Sequence, residues 1–327
     1  MDNLANVVVN GKDTETGALI YNQRESKPWH GKGIPVDGAM TSKEAIKPID
    51  FEVAKRPVFT SIKDSYLSIP EHVAVVRTDN EKPLAIVGKN YEVIQNREAF
   101  EFLDGIVGAG RAVYETAGAL GAGEKVFIQL RLPDNIEFLT ADKKQEVINQ
   151  YLLCSNTHDG TGVIRLRFTP VRVVCQNTLN AALNGTCKSE VRIRHTKSAK
   201  AKLDQAAEVL GIVKNTADNT KEIFVRMSQK FVTPEDIKTY LEKLLPVDKD
   251  AIRTTRRDNI VSVMEKLVMT GKGNDGKTVW DLYNGVTEYV DHHCVVKGEN
   301  DRWENATFGA GFARKEAAFN LALELVK

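Results

Sequence analysis

The period of hydrophobic and polar positions changes along the chain, and each change predicts an element. Residues 1–60 keep no sustained period. Gly, Pro and polar residues break them up, as in Ser26-Lys27-Pro28-Trp29-His30-Gly31-Lys32-Gly33, which predicts an extended arm with turns rather than a packed domain. Trp29 is the exception, since an indole is costly to expose and needs a core or a neighbouring subunit to dock on. Further on, Val73–Arg77 and Leu84–Gly88 flank Thr78-Asp79-Asn80 and predict a hairpin. Asn96 stands where it can cap a helix running to Val107, with Ala99, Phe100, Leu103 and Ile106 on one face and Gly108 and Gly110 as stops.

Strand patterns follow at 113–117, 125–132, 147–154 and 161–168. The second alternates most clearly, with Val126, Ile128, Leu130 and Leu132 opposite Lys125, Phe127, Gln129 and Arg131. In the fourth, Ile164, Leu166 and Phe168 oppose Arg165 and Arg167. Thr169-Pro170 then offers a cap followed by Pro at a first helical position. Val171, Val174, Cys175, Thr178, Leu179 and Ala182 fall on one helical face, and Arg172, Gln176 and Asn180 form a stripe on another. The spacing predicts a central helix over 170–184. Ser189–His195 alternates again, placing Val191 and Ile193 opposite Arg192 and Arg194, and most of the rest reads as helix. Together the elements predict an α+β fold in which an antiparallel sheet core packs against a central helix. An extended arm covers 1–60, an α+β core with a basic strand face 61–200, and a mostly helical region 201–327.

Composition narrows the function classes. With 327 residues, 42% hydrophobic and 27% charged, the chain has enough apolar surface for a core without disulfides. No apolar run nears the roughly 20 residues that cross a bilayer, and Met1-Asp2-Asn3-Leu4 does not open a secretory signal, so no membrane partner is expected. Cys154, Cys175, Cys187 and Cys294 form no C-x-x-C pair, and His292-His293-Cys294 puts neighbours on opposite faces of any regular element. No glycine-rich loop stands between a strand and a helix as phosphate binding requires. We therefore expect no metal and no cofactor. The alternative catalytic pair is His158 with Asp159, in a metal-dependent nuclease or another anti-defence enzyme, although Asp159-Gly160 also reads as a turn.

Charge carries the strongest functional signal. Between Thr161 and Lys202 nine basic residues face the single acidic Glu190, a net of +8 in 42 residues, inside a chain whose total is +1. A local field of one sign attracts a polyanion even when overall charge is near zero. Arg165, Arg167, Arg172, Gln176, Asn180, Lys188, Arg192, Arg194 and Lys197 are the candidate nucleic-acid-binding residues. Guanidinium forks suit backbone phosphates, while nearby aromatics are few (Tyr151 and Phe168), which argues against readout by base stacking.

Three stretches carry a family resemblance. They are Pro28-Trp29-His30-Gly31-Lys32-Gly33, Phe168-Thr169-Pro170-Val171-Arg172-Val173-Val174-Cys175-Gln176-Asn177-Thr178-Leu179, and Ala306-Thr307-Phe308-Gly309-Ala310-Gly311 before the last helix. In this order they resemble the phage/plasmid-like protein family, a domain-of-unknown-function family numbered nine hundred thirty-two. The resemblance implies a phage, prophage or plasmid gene acting in a bacterial cytoplasm, and no established activity. Lys32 stands where that family leads one to expect an apolar residue. The order of elements is also similar to phage single-strand annealing proteins, which set a sheet against a helix, assemble into rings or filaments and hold DNA in a basic groove. Single-stranded DNA or another nucleic acid is thus the expected partner, bound or annealed in recombination by a homo-oligomer. A protein-interaction module serving a phage or host protein is the remaining alternative.

Overall fold

The computed structural model describes residues 20–22, 34–36, 41–108, 110, 112–161, 163–174, 176–180, 190–194, 209–246, 255–296 and 299–327. The chain forms two compact units, neither of them one consecutive stretch. The first takes residues 1–133, 151–168 and 190–212; the second takes 134–150, 169–189 and 213–327. The α+β class holds, with sheets whose registered pairs are antiparallel except the short parallel pair Ile20–Asn22 with Ile34–Val36, and a C-terminal part that is mostly helical.

The first unit begins, among the described residues, with short strands β1 (Ile20–Asn22) and β2 (Ile34–Val36) and helix α1 (Ser42–Ile46). The Thr41-Ser42-Lys43-Glu44 stretch is a capping box: Thr41 Oγ1 accepts from the Glu44 N–H at 3.3 Å, and Glu44 accepts from the Thr41 N–H at 2.8 Å. Ala45, Ile49, Phe51 and Val53 follow in the core. The extended arm expected over 1–60 therefore gives way to packed structure by Thr41, because the cap starts a helix that buries Ala45 and leads to the buried Ile49, Phe51 and Val53. Strands β3 (Val53–Ile62), β4 (Ser65–Arg77) and β5 (Pro83–Gly88) make one sheet. The expected hairpin is its β4–β5 pair, in register from His72 opposite Gly88 to Val76 opposite Pro83.

The larger sheet adds β6 (Val113–Leu120), β7 (Lys125–Leu139), β8 (Gln145–Thr157), β9 (Val163–Arg172) and β10 (Glu190–Arg194), in the order β10-β9-β8-β7-β6-β1-β2. Strands β7, β8 and β9 each pass from one unit into the other along the chain. The helix expected from Asn96 to Val107 is two short ones, α2 (Asn96–Phe100) and α3 (Leu103–Gly108). Asn96 is not the cap. Its buried carboxamide donates to Ile49 O at 2.8 Å and accepts from Asn156 Nδ2 at 3.1 Å, because a buried amide must satisfy both its ends. Arg77 is buried too. It forks onto Asp79 at 2.9 and 2.6 Å, donates to Ala122 O, and lies 3.9 Å above the Phe51 ring.

The second unit is built on helices α4 (Val209–Gln229), α5 (Pro234–Leu244), α6 (Thr255–Thr270), α7 (Val279–Glu288), α8 (Glu299–Phe308) and α9 (Ala310–Leu325). Thr233 with Asp236 and Thr278 with Asp281 cap α5 and α7 with capping boxes. The core centres on Trp280, whose ring lies 4.7 Å from Phe224 and 5.5 Å edge-on to Phe138; Tyr283 meets Phe319 at 5.5 Å.

Thr278→Ala removes one half of the α7 capping box and is expected to cost about 1 kcal/mol, read as a lower urea midpoint at unchanged slope. The Arg77 fork holds the Asp79 carboxyl below its usual range. Its stabilising effect is complete above the unfolded-state value of about 4 and is lost as pH falls through the lower folded value. Asp79→Asn is thus expected to weaken the fold near neutral pH and to flatten its acid limb in denaturant titrations across pH.

Candidate nucleic-acid interface

The β9–β10 ladder in the first unit arises from plain alternation. Ile164, Leu166 and Phe168 are buried on one face of β9, so Arg165 and Arg167 stand on the other. Antiparallel pairing sets Glu190 opposite Arg167, Arg192 opposite Arg165, and Arg194 opposite Val163. Opposed residues share a face, so the register brings four arginine positions and one glutamate to a single side of two strands. Among the described residues, strand β10 is the outermost at its end of the sheet.

The arginines of β9 differ in their surroundings. Arg167 is 5% exposed and forks onto Glu190 at 2.9 and 2.5 Å. It was expected to face solvent; the one carboxylate of the basic stretch holds it in the fold instead. Arg165 is half-buried, and its Nε is buried without an acceptor. An orphaned buried donor on a charged group is costly, which makes Arg165 the arginine here that lacks part of its complement.

Beyond Thr169 the structure departs from the expected central helix. Strand β9 runs on through Pro170 to Arg172, and the chain then turns back. Arg172 N donates to Asn177 O at 3.0 Å, Leu179 N donates to Pro170 O at 2.8 Å, and Val171 bridges to Thr178. Gln176 takes φ 56° within the turn. β-branched Thr169, Val171, Val173 and Val174 favour extended backbone, and pairing overrides the Thr-Pro capping signal. Arg172, Gln176 and Asn180 therefore form no helical stripe. Arg172 is fully buried in the second unit and held by Glu146, with Nε donating at 2.7 Å and Nη2 donating to the other oxygen. Its remaining N–H groups reach Asn274 Oδ1 at 2.8 Å, Gly273 O at 3.0 Å and Lys272 O at 3.4 Å. Gln176 is exposed, whereas Asn180 is buried with neither end of its carboxamide paired. Lys188 and Lys197 lie outside the described residues.

The two residues of the alternative catalytic pair have their own local partners. His158 is fully buried and its Nε2 lies 2.8 Å from Asn96 Oδ1, while Asp159 accepts from the N–H and hydroxyl of Thr161 in a local turn. His292 and His293 end a π-helical turn, Tyr289–His293, that continues α7. Among the described residues no three His, Cys, Asp or Glu side chains converge as metal ligands. Burial pushes the Cys154 thiol well up, away from thiolate chemistry.

Two polar groupings in the second unit escaped sequence reasoning. Lys315 is 1% exposed and donates to Asp291 at 2.7 Å and to the Thr178 hydroxyl; Asp291 also accepts the Thr178 N–H at 2.6 Å. The signal was present, because Lys315 falls at core spacing with Gly311, Ala318, Phe319 and Ala322 in α9. The other is an open, shallow pocket beside Phe231 and Trp280. Its cations are already matched: Lys144 with Asp142 at 2.7 Å and Asp275 at 3.3 Å, and Lys277 with Asp275 at 2.6 Å. The hydrogen bond from Lys144, aided by Thr140, draws the Asp142 carboxyl down to about 2.

A family model described as "Domain of unknown function (DUF932)" matches residues 83–310, which is more than half of the chain. Comparison with curated proteins and with solved structures gives no match.

Breaking the buried pair with Glu146→Ala is expected to cost about 3–5 kcal/mol, because it strands a buried guanidinium. Joint Glu146→Leu and Arg172→Met should recover most of that loss. Urea unfolding of the two variants checks both statements, and equal losses would contradict them.

Proposed function

This chain belongs to the domain-of-unknown-function family DUF932, and from its β9–β10 ladder we propose that it binds nucleic acid, most concretely single-stranded DNA. The observation that carries the reading is the register: Arg192 opposite Arg165, and Arg194 two positions on, with Glu190 engaged by Arg167. That leaves a charge excess on one face at the outer edge of the sheet. Arg165 as a whole is half-buried, and phosphate oxygens suit the forked geometry that guanidinium groups favour.

The contact is led by the backbone. Tyr151 and Phe168 are both buried, so neither offers a ring for bases to stack on. Holding a strand by its phosphates leaves the bases free to meet a complement, which is what annealing in recombination requires. Many copies along one strand would then act together as a homo-oligomer. The reading suits a protein of phage or plasmid origin working in a bacterial cytoplasm. Among the described residues no helix is long and apolar enough to cross a membrane.

With Arg167 and Arg172 engaged inside the fold, the proposal counts Arg165, Arg192 and Arg194 as its phosphate contacts. About three contacts imply a log–log salt slope near −2 for a single strand. Fluorescence anisotropy with an oligothymidylate over a salt series should give that slope. Arg165→Glu with Arg192→Glu should weaken binding at least ~10-fold at unchanged thermal midpoint, as expected where a charged contact is lost. Salt-independent affinity, or full affinity in the double variant, would remove the proposal.

A further inference from the structure

Strands β3 and β4 continue far past the pairing with β5, which reaches only His72–Val76. The register shifts between Pro57 and Phe59, and the distal part then pairs Phe59 with Ser68, Thr60 with Leu67, Ser61 with Tyr66 and Ile62 with Ser65. This is a two-stranded ribbon closed by a two-residue turn, Lys63-Asp64. Phe59 and Tyr66 lie on one face, Ile62 and Leu67 on the other. All four are exposed: Phe59 by 54%, Ile62 by 49%, Tyr66 by 78% and Leu67 by 52%. A two-stranded ribbon is at best marginally stable in water, and this one carries large apolar side chains uncovered on both faces.

We propose that the Phe59–Ser68 ribbon is an assembly arm that docks on the same arm of a second copy of this chain. Two observations favour a second copy over other occupants. Residues 55–72 carry Lys55, Arg56 and Lys63 against Asp64 and Glu71, too balanced a set to attract a polyanion. The tip bears one cation beside one anion, Lys63 and Asp64, a pattern that meets itself with opposite signs across a two-fold axis. A two-fold contact covers one face of each arm, and Phe59 with Tyr66 makes the more exposed of the two faces, so this pair is the anchor. An isologous contact needs no other complementary surface, since the patch is its own partner.

The inference deepens the assembly part of the proposed function, and it is tested without nucleic acid so that the two fail separately. Light scattering on the full chain across micromolar concentrations should report twice the chain mass. Phe59→Ser with Tyr66→Ser should weaken self-association at least ~10-fold with circular dichroism and thermal midpoint unchanged, as for loss of a central apolar anchor. Tyr66→Cys should form an intermolecular disulfide under mild oxidation that wild type does not. A monomer at every concentration, or a dimer that keeps its affinity in the serine variant, would overturn the proposal. So would a ribbon cysteine that becomes protected from alkylation only when single-stranded DNA or another protein is added.

Discussion

A guanidinium removed from water must find an acceptor for each of its N–H groups, and that demand organises the second unit around Arg172. Glu146 supplies two oxygens from β8, and Asn274, Gly273 and Lys272 supply the rest from the loop before α7. The loop can come this close because residue 273 is glycine: it sits at φ +78°, and a Cβ there would stand 2.9 Å from Val174 and 3.0 Å from the guanidinium. The Trp280 ring lies 5.3 Å from the same group. Strand β9 must stay extended through residue 172 for the fork to reach Glu146, so one buried charge helps to decide strand against helix. Lys315 with Asp291 and Thr178 repeats the arrangement nearby in the same unit.

The same logic separates structural from available charge. The basic stretch has one carboxylate of its own, Glu190, and Arg167 takes it. Arg172 takes Glu146 from outside the stretch. What remains at the sheet edge is a smaller cationic locus than the sequence total of +8 suggests, centred on Arg165 and the positions paired with or next to it. The proposed backbone-led contact with a polyanion rests on that remainder rather than on the whole basic stretch.

Much of the fold was legible because one period dominated locally. β7, β9 and β10 announce themselves by alternation, and α5 and α7 by a Thr cap with an acidic third position. The 41–49 region was equally marked by its capping box, but the surrounding glycines and prolines drew it into a supposed arm. The central segment misled for a physical reason. Val171, Val174, Cys175 and Thr178 satisfy a helical face, yet β-branched residues beside an existing strand gain more by pairing. Burial of Arg167, Arg172 and Lys315 depends on Glu190, Glu146 and Asp291, which lie from 23 to 26 residues away in sequence, and no local window reveals such partners. The long β3–β4 ribbon was missed because residues on both its faces are exposed, which erases the alternation that marks a half-buried strand.

The division between structural and available arginines is the claim on which the functional account turns. Arginine-selective modification by a dicarbonyl reagent, mapped by mass spectrometry with and without single-stranded DNA, tests it most directly. The account predicts that Arg165 reacts in the free protein and is shielded by the oligonucleotide, while Arg172 stays unreactive in both until the protein unfolds. Equal reactivity of Arg165 with and without DNA, or ready modification of Arg172 in the folded chain, would contradict it.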